Sequence, residues 1–200
     1  IVLDAATNDL STVDITGAAN ATLVDANAIT LDAVSVTTAL VVDATSISIT
    51  GAVSSGSADL DASAGGITDA GTGSLVVSGN TTLDASADIV LDTATNNFNT
   101  VDATAANITL ADANALTLDA VSTAGNLTVD AGSVDITGTV SVGGVADLAT
   151  TAGGITDSTG TIQVTGNTVL GASGDIVLDA ATNDLSTVDI TGAANATLVD

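Results

Sequence analysis

The stretch IVLDAATNDLSTVDITGAANATLVD spans Ile1–Asp25 and recurs, letter for letter, at Ile176–Asp200. A diverged copy, IVLDTATNNFNTVDATAANITLAD, lies between them at Ile89–Asp112. The chain therefore reads as one continuous array over 1–200: two units, 1–88 and 89–175, and the start of a third, 176–200. Repetition of this kind points to a stacked architecture, in which each unit buries its apolar face only against its neighbours.

A shorter period runs inside the units. Runs such as NATLVD (20–25), ALVVD (39–43), SADLD (57–61) and NTTLD (80–84) place Leu or Val at Leu23, Val42, Leu60 and Leu83. The series continues through Leu110, Val129, Leu148, Leu170 and Leu198. A second series trails the first: AITLD (28–32), SISITG (46–51), GGITD (65–69), DIVLD (88–92), ALTLD (115–119), VDITG (134–138), GGITD (153–157) and DIVLD (175–179). A weaker third carries VSVTT (34–38), SLVV (74–77), TVDAT (100–104), TVSV (139–142), TIQV (161–164) and TVDIT (187–191). Each run alternates apolar and polar residues, as a strand with one buried face does. Gly, Asn, Asp and Ser separate the runs and supply the turns.

This pattern predicts an all-β parallel β-solenoid with three short strands per coil of about 20 residues, in about nine coils. Coils stack about 4.8 Å apart, and the Leu/Val positions are expected to form one continuous inner ladder. The longer interval Asn80–Ala106 is expected to hold its surplus residues in a bulge or loop at a corner. A chain of tandem immunoglobulin-like sandwiches is the architectural alternative, since 87 residues suits one such domain. A sandwich has no reason to repeat every 20 residues, however, and usually buries a Trp or Tyr. This chain has neither, and Phe98 is its one aromatic residue.

Composition narrows the function. All 24 acidic residues are Asp, and with no Lys, Arg or His the formal net charge is −24. Nucleic-acid binding through phosphate neutralisation needs Lys and Arg and is excluded as a role. Anionic membrane surfaces repel such a chain, and no apolar run is long enough for a membrane-crossing helix. A hydrophobic fraction of 46% argues against disorder. There is no Cys for a disulfide or thiolate metal site. Because the chain starts and stops at the same point of the repeat, it is expected to be a window on a longer array, with targeting segments elsewhere. Its open ends are then expected to associate head-to-tail into a filament.

The phrases ANALTLDAVSTAGNLTVDAGSVDITG and GGITDSTGTIQVTGNTVLGASGDIVLD resemble the repeat region of filamentous-haemagglutinin-like exoproteins. The likeness is a style of repeat covering nearly all of the chain; a total lack of Lys and Arg sets this sequence apart. The resemblance implies a right-handed parallel β-helix, export by two-partner secretion, and a secreted or cell-surface location in a Gram-negative bacterium. It implies adhesion or scaffolding with no identified adhesive target, and it transfers no catalytic residue.

Two sets of Asp fall at like positions in successive runs. One is Asp25, Asp43, Asp61, Asp84, Asp112 and Asp130, with Asp200 in the third unit, interrupted by Ala149 and Gly171; the other is Asp32, Asp69, Asp92, Asp119, Asp157 and Asp179, interrupted by Gly51 and Gly138. Like charges 4.8 Å apart repel by about 1 kcal/mol even in water. The functional reading makes these columns Ca2+ sites, because hard cations take several carboxylate and carbonyl oxygens. The plainer reading is that Asp suits a corner, where it caps turns; no calcium loop of the GGxGxDxUx or DxDxDG form is present. Asn20, Asn80, Asn107, Asn126 and Asn195 each open a run within N-x-T, a glycosylation acceptor in form and, more simply, a corner residue whose amide serves the turn. There is no His or Lys base, no Cys nucleophile and no cation to steady developing negative charge. No enzyme and no cofactor is expected. The leading reading is the rigid, non-catalytic shaft of a fibre or adhesin; a Ca2+-binding repeat module is the alternative.

Overall fold

A computed structural model describes residues 1–200 as twenty-two strands, from Val2–Leu3 to Ala196–Leu198, with no helix. All strands join one sheet that winds into a β-solenoid of about ten turns with roughly 19–20 residues per coil. Strands in successive coils pair in parallel, which local alternation alone could not fix but winding in one sense requires. The short runs are rich in Val, Ile and Thr, which pack well on a pleated surface. Their alternate residues turn inward. The 47 buried apolar residues form a single cluster running the length of the rod.

Three faces result. On face 1 the inward column runs Leu3, Leu23, Val42, Leu60, Leu83, Ala103, Val121, Val140 and Ile162. On face 2 it runs Ile29, Ile47, Ile67, Ile89, Ile108, Leu127, Ala146, Thr168 and Val188. Face 3 begins with Ile15, Val34, Val53 and Leu75, passes through a bridge from Val76 to Asn97, and resumes with Leu116, Val134, Ile155, Ile176 and Ala196.

The single Leu/Val ladder expected from the sequence is therefore three partial ladders. Leu23, Val42, Leu60 and Leu83 stack on face 1, whereas Leu110, Val129, Leu148 and Leu170 stack on face 2 and Leu198 lies on face 3. Leu83 is followed on its own face by Ala103, not by Leu110. The interval from Leu83 to Leu110 is thus one coil plus one further face, and not one long coil. The same shift moves the repeated strand Val2–Leu3, Ile89–Leu91 and Ile176–Leu178 to faces 1, 2 and 3 in turn. Between its first two copies face 1 is visited at Leu3, Leu23, Val42, Leu60 and Leu83, so one unit is four coils and a third.

The two units differ in length by single residues at three places, near Gly17, near Gly144 and in the turn after Asp69, for a net difference of one residue. Residues Ala70–Gly73 close with a hydrogen bond of 3.0 Å from the Gly73 N–H to the Ala70 carbonyl. Gly71 there has φ +67°, a left-handed backbone that glycine adopts without a Cβ penalty. The matching turn of the second unit, Ser158–Gly160, is shorter by one residue, and Ser158 is held by its N–H and hydroxyl to the Asp135 carboxylate.

Leu110 is 1% exposed and its neighbour Thr109 faces outward. Leu110→Ala is expected to cost about 2–4 kcal/mol, since no neighbouring element can collapse into the gap. Thr109→Ala should change stability by about 0.5 kcal/mol or less. Urea unfolding of the two variants checks this, and equal losses would overturn the inward and outward assignment.

Candidate functional site

The Asp residues singled out from the sequence divide into three environments. Asp43, Asp61 and Asp84 are the only members in direct register, on three successive coils of face 1, exposed and pointing outward. Asp59 stands on the same strand as Asp61 and faces the same way. Burial, and then the carboxylates of Asp43, Asp84 and Asp59, raise the pKa of Asp61 above the ordinary carboxylate value. Like charges on adjacent strands disfavour a third charge between them.

Asp25 and Asp112 do not continue that column. They lie one position beyond the register of Asp43 and Asp130, point inward and are buried. Asp25 accepts from the N–H groups of Leu10 and Asn27, and Asp112 from those of Phe98 and Asn114. Burial raises the pKa of Asp112, against the opposing effect of its two N–H donors. Asp130 remains outside, in register with Ala111 and Ala149.

Asp69 and Asp157 occupy core positions, 7% and 4% exposed. Asp69 is in register with Ile49 below it, where an aliphatic side chain would be the ordinary occupant. Its carboxylate receives the N–H groups of Asp92 and Thr93 at 3.1 and 3.2 Å and the Asn96 amide at 2.7 Å. Asn96 in turn accepts from the Leu75 N–H at 2.7 Å. The second copy is the same: Asp157 receives Asp179 N–H, Ala180 N–H and the Asn183 amide, and Asn183 accepts from Ile162. Each loop, 92–99 and 179–186, is clamped from below by one carboxylate. From above, Asp112 binds Phe98 and Asp200 binds Leu185. Because Asp69 belongs to the first unit and its loop to the second, the clamp fastens one unit to the next.

Asp92 and Asp179 contribute backbone N–H groups here while their side chains stay exposed. Asp32 and Asp119 explain the apparent gaps in their column. A Cβ at Gly51 would overlap the carbonyl and carboxylate oxygens of Asp32, and Gly138 meets Asp119 in the same way. Asp over Gly is thus a packing pair at the corner. The corner Asn residues also serve the turns: Asn107 accepts from Asn126 N–H and Asn126 from Val145 N–H, both at 2.9 Å. The Asn107 amide donates to Asp88 at 2.8 Å, and that of Asn195 to Asp175 at 2.8 Å.

No three carboxylates converge as a cation cage would require. One surface depression of about 460 Å³ is lined by Thr123, Ser141, Gln163, Thr165, Asp184 and Ser186 among others, and Asp184 is its one ionisable group. Sequence reasoning passed over Asn8, Asn96 and Asn183, the same unit position in three copies. The Asn8 amide donates to the Leu3 and Val24 carbonyls. The signal was present, because Asn is constant there while Phe98 stands where the flanking copies have Leu10 and Leu185.

Asp69→Asn replaces one carboxylate oxygen by an amide N–H, which then faces either the Asp92 N–H or the donors of Thr93 and Asn96, and should cost about 1–3 kcal/mol. The exposed control Asp92→Asn should stay within about 0.5 kcal/mol. Urea denaturation compares them. Asp61 tests the ladder in the opposite direction. With its folded pKa raised, its contribution favours the fold below the unfolded pKa and is lost as pH rises through the folded value. Asp61→Asn should therefore raise Tm at pH 7 and low salt, with the gain shrinking toward zero as the medium is acidified below the carboxylate range.

No curated protein and no solved structure is a match for this chain. A family model described as "Repeats of unknown function (DUF5649)" matches three successive segments, 50–104, 105–152 and 146–192. From 50 to 192 they take in 143 of the 200 residues, and their boundaries fall without regard to the 87-residue unit, as expected where every coil resembles the next. On that coverage the chain belongs to this family of repeats of unknown function.

Proposed function

We propose that this chain is a structural, non-catalytic shaft of a secreted or cell-surface fibre or adhesin, with recognition carried by other parts of the assembly. The observation that supports it most is the sameness of the units. The inward and outward chemistry of each unit is repeated in the next, whereas a catalytic cleft needs unlike groups brought together once. A parallel solenoid with a continuous apolar interior is stiff along its axis, and its length is set by the number of coils. The likeness to filamentous-haemagglutinin-like exoproteins supports the finer reading of an exported adhesin; the family model itself carries no function.

Ten coils at about 4.8 Å give a rod roughly 48 Å long, and one further unit adds about 21 Å. Small-angle scattering should show the maximum dimension rising by that step when an 87-residue unit is inserted at a unit boundary, with Tm unchanged or higher. A step that is absent, or a compact particle, would refute a shaft. Export is tested separately, by protease shaving of intact producing cells.

The exposed ladder Asp43, Asp61 and Asp84 favours one second reading, that divalent cations bridge neighbouring carboxylates and stiffen the rod. In that case millimolar Ca2+ should raise Tm more than ionic strength alone does, and Asp61→Asn should remove most of the difference.

A further inference from the structure

We infer that the repeat unit acts as a screw operator, so that the protruding loop carried once per unit is displayed on the three corners of the shaft in turn. The loop has one conformation in all three copies. The N–H of Asn8, Asn96 and Asn183 closes a turn onto the carbonyl of Ala5, Thr93 and Ala180, at 2.9, 2.9 and 3.1 Å. Its tip is exposed each time, at Ala6 and Thr7, Ala94 and Thr95, and Ala181 and Thr182. The first copy leaves face 1 after Leu3 and the second leaves face 2 after Leu91. The third leaves face 3 after Leu178. Four coils and a third carry each loop about 21 Å along the axis and one corner, about 120°, around it.

A surface that touches one side of the shaft therefore meets a given loop only at every third unit, after thirteen coils or about 62 Å. A partner with several loop-binding sites has to follow a helical path, or approach from three sides. The exposed tips of Ala and Thr carry no charge, and exposed Asp residues flank them within the same loops, at Asp4 and Asp9, at Asp92, and at Asp179 and Asp184.

Distances between spin labels test this in the intact chain. Ala6, Ala94 and Ala181 are changed to Cys in pairs, and each pair is labelled and measured by electron–electron resonance. Corners of a coil stand about 20 Å apart, since each side is six or seven residues at about 3.3 Å. Adjacent loops are then expected about 29 Å apart and the outer pair, Ala6 and Ala181, about 46 Å apart, a ratio near 1.6. Loops stacked in line would instead give about 21 and 42 Å, a ratio of two, and would overturn the inference. The equivalent set Thr7, Thr95 and Thr182 repeats the measurement independently of any local disturbance at the alanines, and the two sets must agree on the ratio.

Discussion

The hydrogen bond from one coil to the same face of the next governs the rest of this structure. Of 131 backbone hydrogen bonds, 85 run within the strand system, and many of the others are corner bonds between successive coils, such as Asp25 N–H to the Asp43 carbonyl and Asp112 N–H to the Asp130 carbonyl. A parallel ladder without slip sets each side chain above its counterpart at a fixed short distance. Apolar counterparts reward that geometry, as in the unbroken Ile29, Ile47, Ile67, Ile89 and Ile108. Charged counterparts are penalised, as at Asp61. At the corners the stack leaves no room above some carbonyls, and glycine fills those places.

The inward carboxylates follow from the same constraint. A loop of eight residues interrupts the ladder once per unit and leaves backbone N–H groups without partners in the coil below. Unpaired N–H groups inside a protein are costly. Asp69 supplies missing acceptors from below and Asp112 from above, while Asn96, within the loop, accepts from the Leu75 N–H of the coil beneath. A buried charge so supplied with donors is stable in place, and an aliphatic residue at the same position would leave the loop unheld. Burial here speaks for fastening, since each of these carboxylates already has the donors it can use.

Much of this was legible in the sequence, and the failures have a common origin. Alternation within a run is local, so the inward set Leu23, Val42 and Leu60 and the outward Thr109 followed directly from the letters. Stacking phase is not local: it depends on the summed lengths of all turns between two runs. Matching similar phrases across the unit boundary, Leu83 to Leu110, therefore selected the wrong neighbour, although phrases within a unit were matched correctly. Asp69 failed for a different reason. In Ile67–Thr68–Asp69 the alternation itself places Asp69 inward, and the general preference of Asp for the surface outweighed it. The donors that make the inward place tolerable belong to residues 92–96, more than twenty positions further on, where a reading of the run alone does not look.

The extra third of a coil also limits what the unit can contain. A unit of four whole coils would keep each strand sequence on its own face and divide the strands into three independent columns. One column could then grow bulkier while another grew smaller. With thirteen strand positions per unit, every position stacks on the one three places later, and thirteen shares no factor with three. Each face therefore runs through all thirteen unit positions in turn over three units, and each position comes to stand on every face. An enlarged inward residue has to be accommodated by the next position on its face, and that one by the next, through the whole unit. Inward residues of similar size are the stable solution, which matches an interior of Leu, Ile, Val and Ala. The exception is consistent with this rule. Phe98 lies at the end of the loop, where the regular ladder is interrupted and a larger side chain has a place that no column imposes.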